Sequence, residues 1–157
     1  MDLSNNSKYE LPCRGELTIN TYDINGRLLH VYETPNTIVY GARTLMAKLL
    51  VGDDTTNKKI SKLAVGVDAT PPTRNDTQLR SKVGGFVPIA PSAITYPAVG
   101  QVELRALLAH DQAVGSTLTE VGLFTEDETT MFARQVHGDH VKTNALQMEY
   151  LWRIIFT

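Results

Sequence analysis

Leu146-Gln147-Met148-Glu149-Tyr150-Leu151-Trp152-Arg153-Ile154-Ile155-Phe156 is the stretch whose reading decides the fold. Leu146, Met148, Tyr150, Trp152, Ile154 and Phe156 recur every second residue and so share one face of an extended chain. Gln147, Glu149 and Arg153 point the other way, with Leu151 and Ile155 between them. A run of successive in-facing apolar residues this long predicts a core strand.

The same period recurs upstream. Val102, Leu104, Ala106 and Leu108 alternate with Gln101, Glu103, Arg105 and Leu107. Thr117 to Thr125 and Thr129 to Val136 read as two strands joined by the charged loop Glu126-Asp127-Glu128. Near the start, Glu16 to Tyr22 alternates, and Asn25-Gly26 supplies the positive-φ residues of a tight hairpin. Arg27 to Glu33 returns as its second strand, followed by Pro35-Asn36 and a short Thr37-Ile38-Val39.

The period then changes. Ala42, Leu45, Met46, Leu49 and Leu50 recur at three- and four-residue spacing, which predicts a helix over about 41–51 with Gly52 as its stop. Asp53 to Lys59 reads as a polar loop and Ile60 to Val67 as a strand. Asp68 to Asp76 carries Pro71-Pro72 and no core pattern, so an exposed loop is expected. Residues 79–100, broken by Gly84-Gly85, Pro88, Pro91 and Pro97, admit only short or edge strands. The first thirteen residues are polar and interrupted by Pro12, and read as an arm that is mobile alone or docked on something else. The expectation is a mainly β chain: an antiparallel β-sandwich with one helix and a flexible N-terminal arm. Residues 1–14 form the arm and 15–157 one sandwich domain.

At 157 residues and 42% hydrophobic content the chain can bury a sizeable core. Fifteen basic against 17 acidic residues give a net charge of −2, so no basic excess points to nucleic acid. The longest apolar runs fall far short of a membrane span, and the start lacks the pattern of a signal peptide. A single cysteine, Cys13, rules out an internal disulfide and a cysteine-built zinc site. A reducing compartment, with no membrane partner, is the expectation.

The search for chemistry is short. His137-Gly138-Asp139-His140 could hold a divalent metal, but the tetrapeptide falls between two strands and lacks a third histidine at ligand spacing, so a solvated turn is preferred. His110-Asp111 follows a strand end without a serine nucleophile, His30 reads as a cross-strand neighbour, and Cys13 as a bystander thiol. Neither Val65-Gly66-Val67 nor Val83-Gly84-Gly85 matches a phosphate-binding loop. The acidic clusters Asp53-Asp54 and Glu126-Asp127-Glu128 read as solvated. Glu120 is different: strand alternation places it beside Leu118 and Phe124, where a carboxylate needs a cation. Arg134 and Arg153 are the candidate partners, in a structural ion pair. No catalytic, metal or cofactor-binding residue is expected, no cofactor, and no small-molecule substrate.

Three segments together resemble proteins of tailed-bacteriophage virions, the small β-sandwich components of tail fibres, baseplates and neck or collar. The first runs from Tyr22-Asp23-Ile24-Asn25-Gly26-Arg27-Leu28-Leu29 through Asn36-Thr37-Ile38-Val39 to Ala47-Lys48-Leu49-Leu50-Val51-Gly52. The second takes Ile60 to Val67 into Ala69-Thr70-Pro71-Pro72-Thr73 and Asp76-Thr77-Gln78-Leu79. The third joins Leu118-Thr119-Glu120-Val121-Gly122-Leu123-Phe124 to Met131-Phe132-Ala133-Arg134 and the Trp152 strand. The resemblance implies a non-enzymatic structural role, assembly with copies of itself in a ring or fibre attachment, and contacts with other virion proteins. It carries over no catalytic or ligand position. Tyr9, Leu11, Phe86, Ile89, Ile94 and Tyr96 are the apolar residues of the irregular segments that could anchor a partner. A carbohydrate-binding module is the competing use of such a sandwich, and it needs exposed aromatic residues.

Overall fold

A computed structural model describes residues 13–157. Nine strands and one helix follow in the order β1 (Cys13–Tyr22), β2 (Leu28–Ile38), α1 (Tyr40–Val51), β3 (Ile60–Gly66), β4 (Lys82–Pro88), β5 (Ile94–Thr95), β6 (Gln101–Leu108), β7 (Thr117–Thr125), β8 (Met131–Val141) and β9 (Gln147–Phe156). Every pairing is antiparallel, and the strands form one ladder in the order β4-β3-β7-β8-β2-β1-β9-β6-β5.

β2 is the strand that makes this ladder a sandwich. From Leu28 to Asn36 it pairs with β1, and at Thr37 and Ile38 it pairs with β8. The sheet curls at that handover, so its two halves face each other. The expected break at Pro35-Asn36 does not occur: Pro35 lacks an N–H and stands just before the change of partner, where the ladder has no use for that donor.

Period-2 alternation then fills the interior. Leu17, Ile19, Leu104, Tyr150 and Trp152 of one half meet Leu63, Val65, Leu118, Val121 and Leu123 of the other, and Ala42 and Leu45 of α1 join them. Trp152 is wholly buried at the centre, a position where truncation to alanine costs about 3–5 kcal/mol. α1 ends at Gly52, which takes the left-handed conformation (φ 71°) and donates its N–H back to Leu49.

Several expectations need correction. β1 starts at Cys13, so the arm boundary at 14 falls inside a strand. The hairpin between β1 and β2 is a five-residue turn, not a two-residue one; the Asp23 carboxylate accepts from the N–H groups of Asn25 and Arg27, and only Gly26 has positive φ. Leu146 precedes β9 and Phe156 is exposed at its end, so the in-facing run is shorter than the pattern suggests. On α1, Leu49, Leu50 and Val51 are exposed, because the last turn of the helix extends beyond the sheets that bury Ala42 and Leu45.

The segment between β3 and β4 departs most from expectation. It folds back over the outer face of the β3-β7-β8 half. Leu79 is buried there with Val39, Ala64, Phe124 and Met131 in a second small core, against which Phe86 packs. The prolines keep the segment out of the ladder, but its far end is docked.

Candidate functional site

The β7–β8 pair carries the chain's most concentrated polar chemistry, at two places. Under the docked segment 67–81, Glu120 and Arg134 are both fully buried and lie diagonally across the ladder, Glu120 opposite Val136 and Arg134 opposite Gly122. Arg134 Nε donates to Glu120 Oε2 at 2.9 Å. Its Nη2 lies 2.8 Å from the same oxygen, as an ion pair off hydrogen-bond geometry. Nη1 donates to Asp76 Oδ2 at 3.0 Å and to the Thr70 carbonyl at 3.1 Å. Glu120 accepts further from the backbone N–H groups of Ser81 at 2.7 Å and Arg80 at 3.2 Å.

The bonds to Asp76, Thr70, Arg80 and Ser81 tie the segment to the sheet. Burial pushes the Asp76 carboxyl up, but the Thr73 N–H and the Arg134 charge outweigh it, so its pKa falls below the ordinary value. Glu120 and Arg134 thus meet as an ion pair. Arg153 does not reach Glu120: it projects from the outer face of β9 and pairs with Glu103 at 2.8 Å. Asp68, whose Oδ1 lies 3.7 Å from Arg134 Nη2, and Asp76 were not legible as partners of Arg134, since nothing in a proline-rich loop announces which sheet face it will cover.

The second place is a cleft where β2 and β8 splay apart. Opposite Thr119, β8 carries a bulge: Glu120 pairs with Val136 and Leu118 with His140, leaving residues 137–139 against one residue of β7. His137-Gly138-Asp139-His140 is therefore an interior part of a strand, not the expected turn. The bulge puts both imidazoles on one face, with their Nδ1 atoms 3.2 Å apart. Both approach the Gly138 carbonyl, at 2.9 and 2.5 Å, which assigns the ring protons to Nδ1 and leaves each Nε2 a buried acceptor without a donor. Thr119 Oγ1 and the Tyr150 hydroxyl are also buried without a partner. Burial lowers the His137 pKa to about 4, with the His140 charge adding to the effect and the Gly138 contact opposing it. The cleft, about 350 Å³ in volume, is lined by Gly138, Asp139, His140 and Val141 of β8 with His30, Tyr32, Thr21 and Met148, and His137 is buried behind it. Among the described residues no group of three or more His, Cys, Asp or Glu side chains is placed to hold a metal ion.

Other polar residues take bland places. The Cys13 thiol is half-buried and pushed up by burial, which favours the unreactive protonated form. His110 follows β6 and contributes its carbonyl to Lys142. Lys142 is a buried cation that the reading of the sequence missed; its Nζ donates to the carbonyls of His110 and Thr143 and ties two turns together. The acidic turn of β7–β8 is paired and not merely solvated: Glu126, Asp127 and Glu128 meet Lys59, Lys58 and Lys62.

The candidate contact residues divide. Tyr9 and Leu11 lie outside the described residues. Ile89 is buried in the main core, and Phe86 is half-buried against Phe124, with ring centroids 5.1 Å apart. These two stabilise the domain itself. Ile94 and Tyr96 instead line an apolar groove of about 260 Å³ with Met46, Ile60, Phe132 and Phe156. Tyr96 is 77% exposed, and Leu50, one helical turn beyond Met46 on the same stripe, is 86% exposed. An apolar rim thus runs from the end of α1 to the end of β9. Comparison with protein-family models, with curated proteins and with solved structures returns no match.

Proposed function

We propose that the chain is a structural, non-enzymatic virion protein of a tailed bacteriophage, self-associating in the tail, baseplate or neck and collar. It holds neighbouring virion proteins together there, after synthesis in the cytoplasm of the host bacterium. Its partners are copies of itself and other virion proteins, not nucleic acid, membrane or a small-molecule substrate. The order of the three sequence segments supports this reading.

The observation that carries it is the apolar rim. Tyr96 and Phe156 stand exposed on a groove continuous with the core, and Leu50 is exposed one helical turn beyond Met46 of its lining; exposed apolar residues clustered in this way mark a contact surface. Trp152, the aromatic best suited to a sugar platform, is wholly inside, which weakens the carbohydrate-binding reading. Tyr40 is exposed, with the Arg43 guanidinium 5.0 Å from its ring centre on one face.

Electron microscopy of the assembled particle at residue resolution tests the proposal. The chain is expected in a symmetric array with its rim covered by a neighbour, and Tyr96→Ser combined with Leu50→Ser is expected to fold but to stay out of the particle. A particle complete without the chain, or an array that leaves the rim in water, overturns it.

A further inference from the structure

A regular strand sends residues three apart to opposite faces, which would keep His137 and His140 from meeting. The bulge opposite Thr119 brings them together instead, with ring centres 4.8 Å apart and planes at 87°. Their Nδ1 atoms stand 3.2 Å apart, and the Gly138 carbonyl oxygen lies 2.9 Å from one and 2.5 Å from the other. Two nitrogens and an oxygen thus form a small triangle at the mouth of the cleft.

That spacing has a chemical meaning. Donors held about 2.0–2.1 Å from one metal ion lie about 2.9 Å apart in octahedral geometry and about 3.4 Å apart in tetrahedral geometry. The nitrogen pair falls between these values. The short side of the triangle must open by a few tenths of an ångström, and Gly138, with open space about its Cα, gives the backbone room to turn. In the metal-free chain the two Nδ1 protons hold the triangle together. An ion replaces both, and the protons pass to the Nε2 atoms, which make no hydrogen bond that the change could break. Burial keeps His137 uncharged, the form that binds metal, and the Asp139 charge that reaches it favours a cation. His140 and Asp139 line the open cleft, so an ion and its water can enter from solvent.

We propose that His137, Gly138 and His140 form a site for one divalent first-row transition metal ion. Two imidazole Nδ1 atoms and the Gly138 carbonyl oxygen hold it, and water from the cleft takes the remaining positions. Two side chains and a carbonyl are fewer protein donors than the four side chains of a structural zinc centre, so the ion is exchangeable. Imidazole selects zinc, nickel or copper over magnesium and calcium, which take oxygen donors. Such a site is independent of whether the chain assembles into a particle.

Isothermal titration calorimetry of the full chain with zinc or nickel chloride tests it, with circular dichroism to confirm that each variant folds. One ion per chain is expected, bound at least about tenfold more tightly than magnesium. His140→Ala, at a half-buried position, is expected to weaken binding by about tenfold or more. His110→Ala, whose residue does not line the cleft, is expected to leave it unchanged. In nuclear magnetic resonance the imidazole nitrogens of His137 and His140 are expected to shift together as zinc is added. No binding of either ion, binding as tight after His140→Ala, an equal loss with His110→Ala, or magnesium bound as tightly as zinc overturns the inference.

Discussion

The two ends of the β7–β8 pair solve the same problem in opposite ways. Around Glu120 and Arg134, charges sit in the interior and almost every polar atom has a partner, because segment 67–81 brings Asp76, the Thr70 carbonyl and two N–H groups to meet them. Around His137 and His140, buried Nε2 atoms, a threonine hydroxyl and the Tyr150 phenol have none among the described residues, because the bulge opens the strand. Buried polar groups rigidify a fold when satisfied and cost stability when not. One end is therefore a clamp. The other leaves its buried polar atoms unpaired, and it borders β2.

The largest break in this comparison comes from removing the cation. Arg134→Met leaves Glu120 in the interior without a counter-charge and Asp76 with Arg80 alone, and is expected to destabilise by about 3–5 kcal/mol in chemical denaturation. The released segment 67–81 should become the preferred site of proteolysis, while the cleft end of the pair keeps its structure. A loss below about 1 kcal/mol shows that the clamp contributes little.

pH separates the two ends. His137 in the folded chain has a pKa of about 4, below the ordinary imidazole value of 6.5. Between those values the unfolded chain binds the proton and the folded chain does not, so stability is complete above pH 6.5 and falls as pH drops towards 4. The expected loss over that window is on the order of 3 kcal/mol, and His137→Phe, which also removes an unpartnered Nε2, should flatten it. Asp76, held low, is lost only below the ordinary carboxylate range. A wild-type curve flat from pH 6.5 to 4 shows that His137 does not differ between the two states.

The sandwich and the helix were legible because each follows from a local period; Glu120 was legible as a carboxylate in need of a cation, but the register shift between Leu118 and Glu120 puts it on the outer face with Phe124, away from Leu118 in the main core. A glutamate amid an apolar strand face states that a cation must be near, and Arg134 lies one hairpin away. Its other partners were hidden because Asp76 and Leu79 acquire their roles only when a proline-rich segment folds over a particular face. Pro35 misled for a related reason: its effect depends on whether the ladder needs a donor at that point. The bulge had one available sign, Gly138 between Val136 and Val141, since an isolated glycine in a strand often marks an inserted residue.

Two glycines make the smallest test and place one substitution at each end. Gly66 lies where the chain leaves β3, and a Cβ there would meet the Ser81 carbonyl oxygen inside van der Waals contact and Glu120 Oε1 at 2.5 Å. That carbonyl accepts from the Val67 N–H at 2.9 Å, so backbone must move and not merely a side-chain end. Gly66→Ala is expected to cost about 1–3 kcal/mol and to loosen segment 67–81 in hydrogen exchange. Gly138 has open space where its Cβ would stand and no positive φ, so Gly138→Ala should stay within about 0.5 kcal/mol of wild type. Equal costs at the two positions would mean that the cleft end is packed as tightly as the clamp, and the contrast between them would fail.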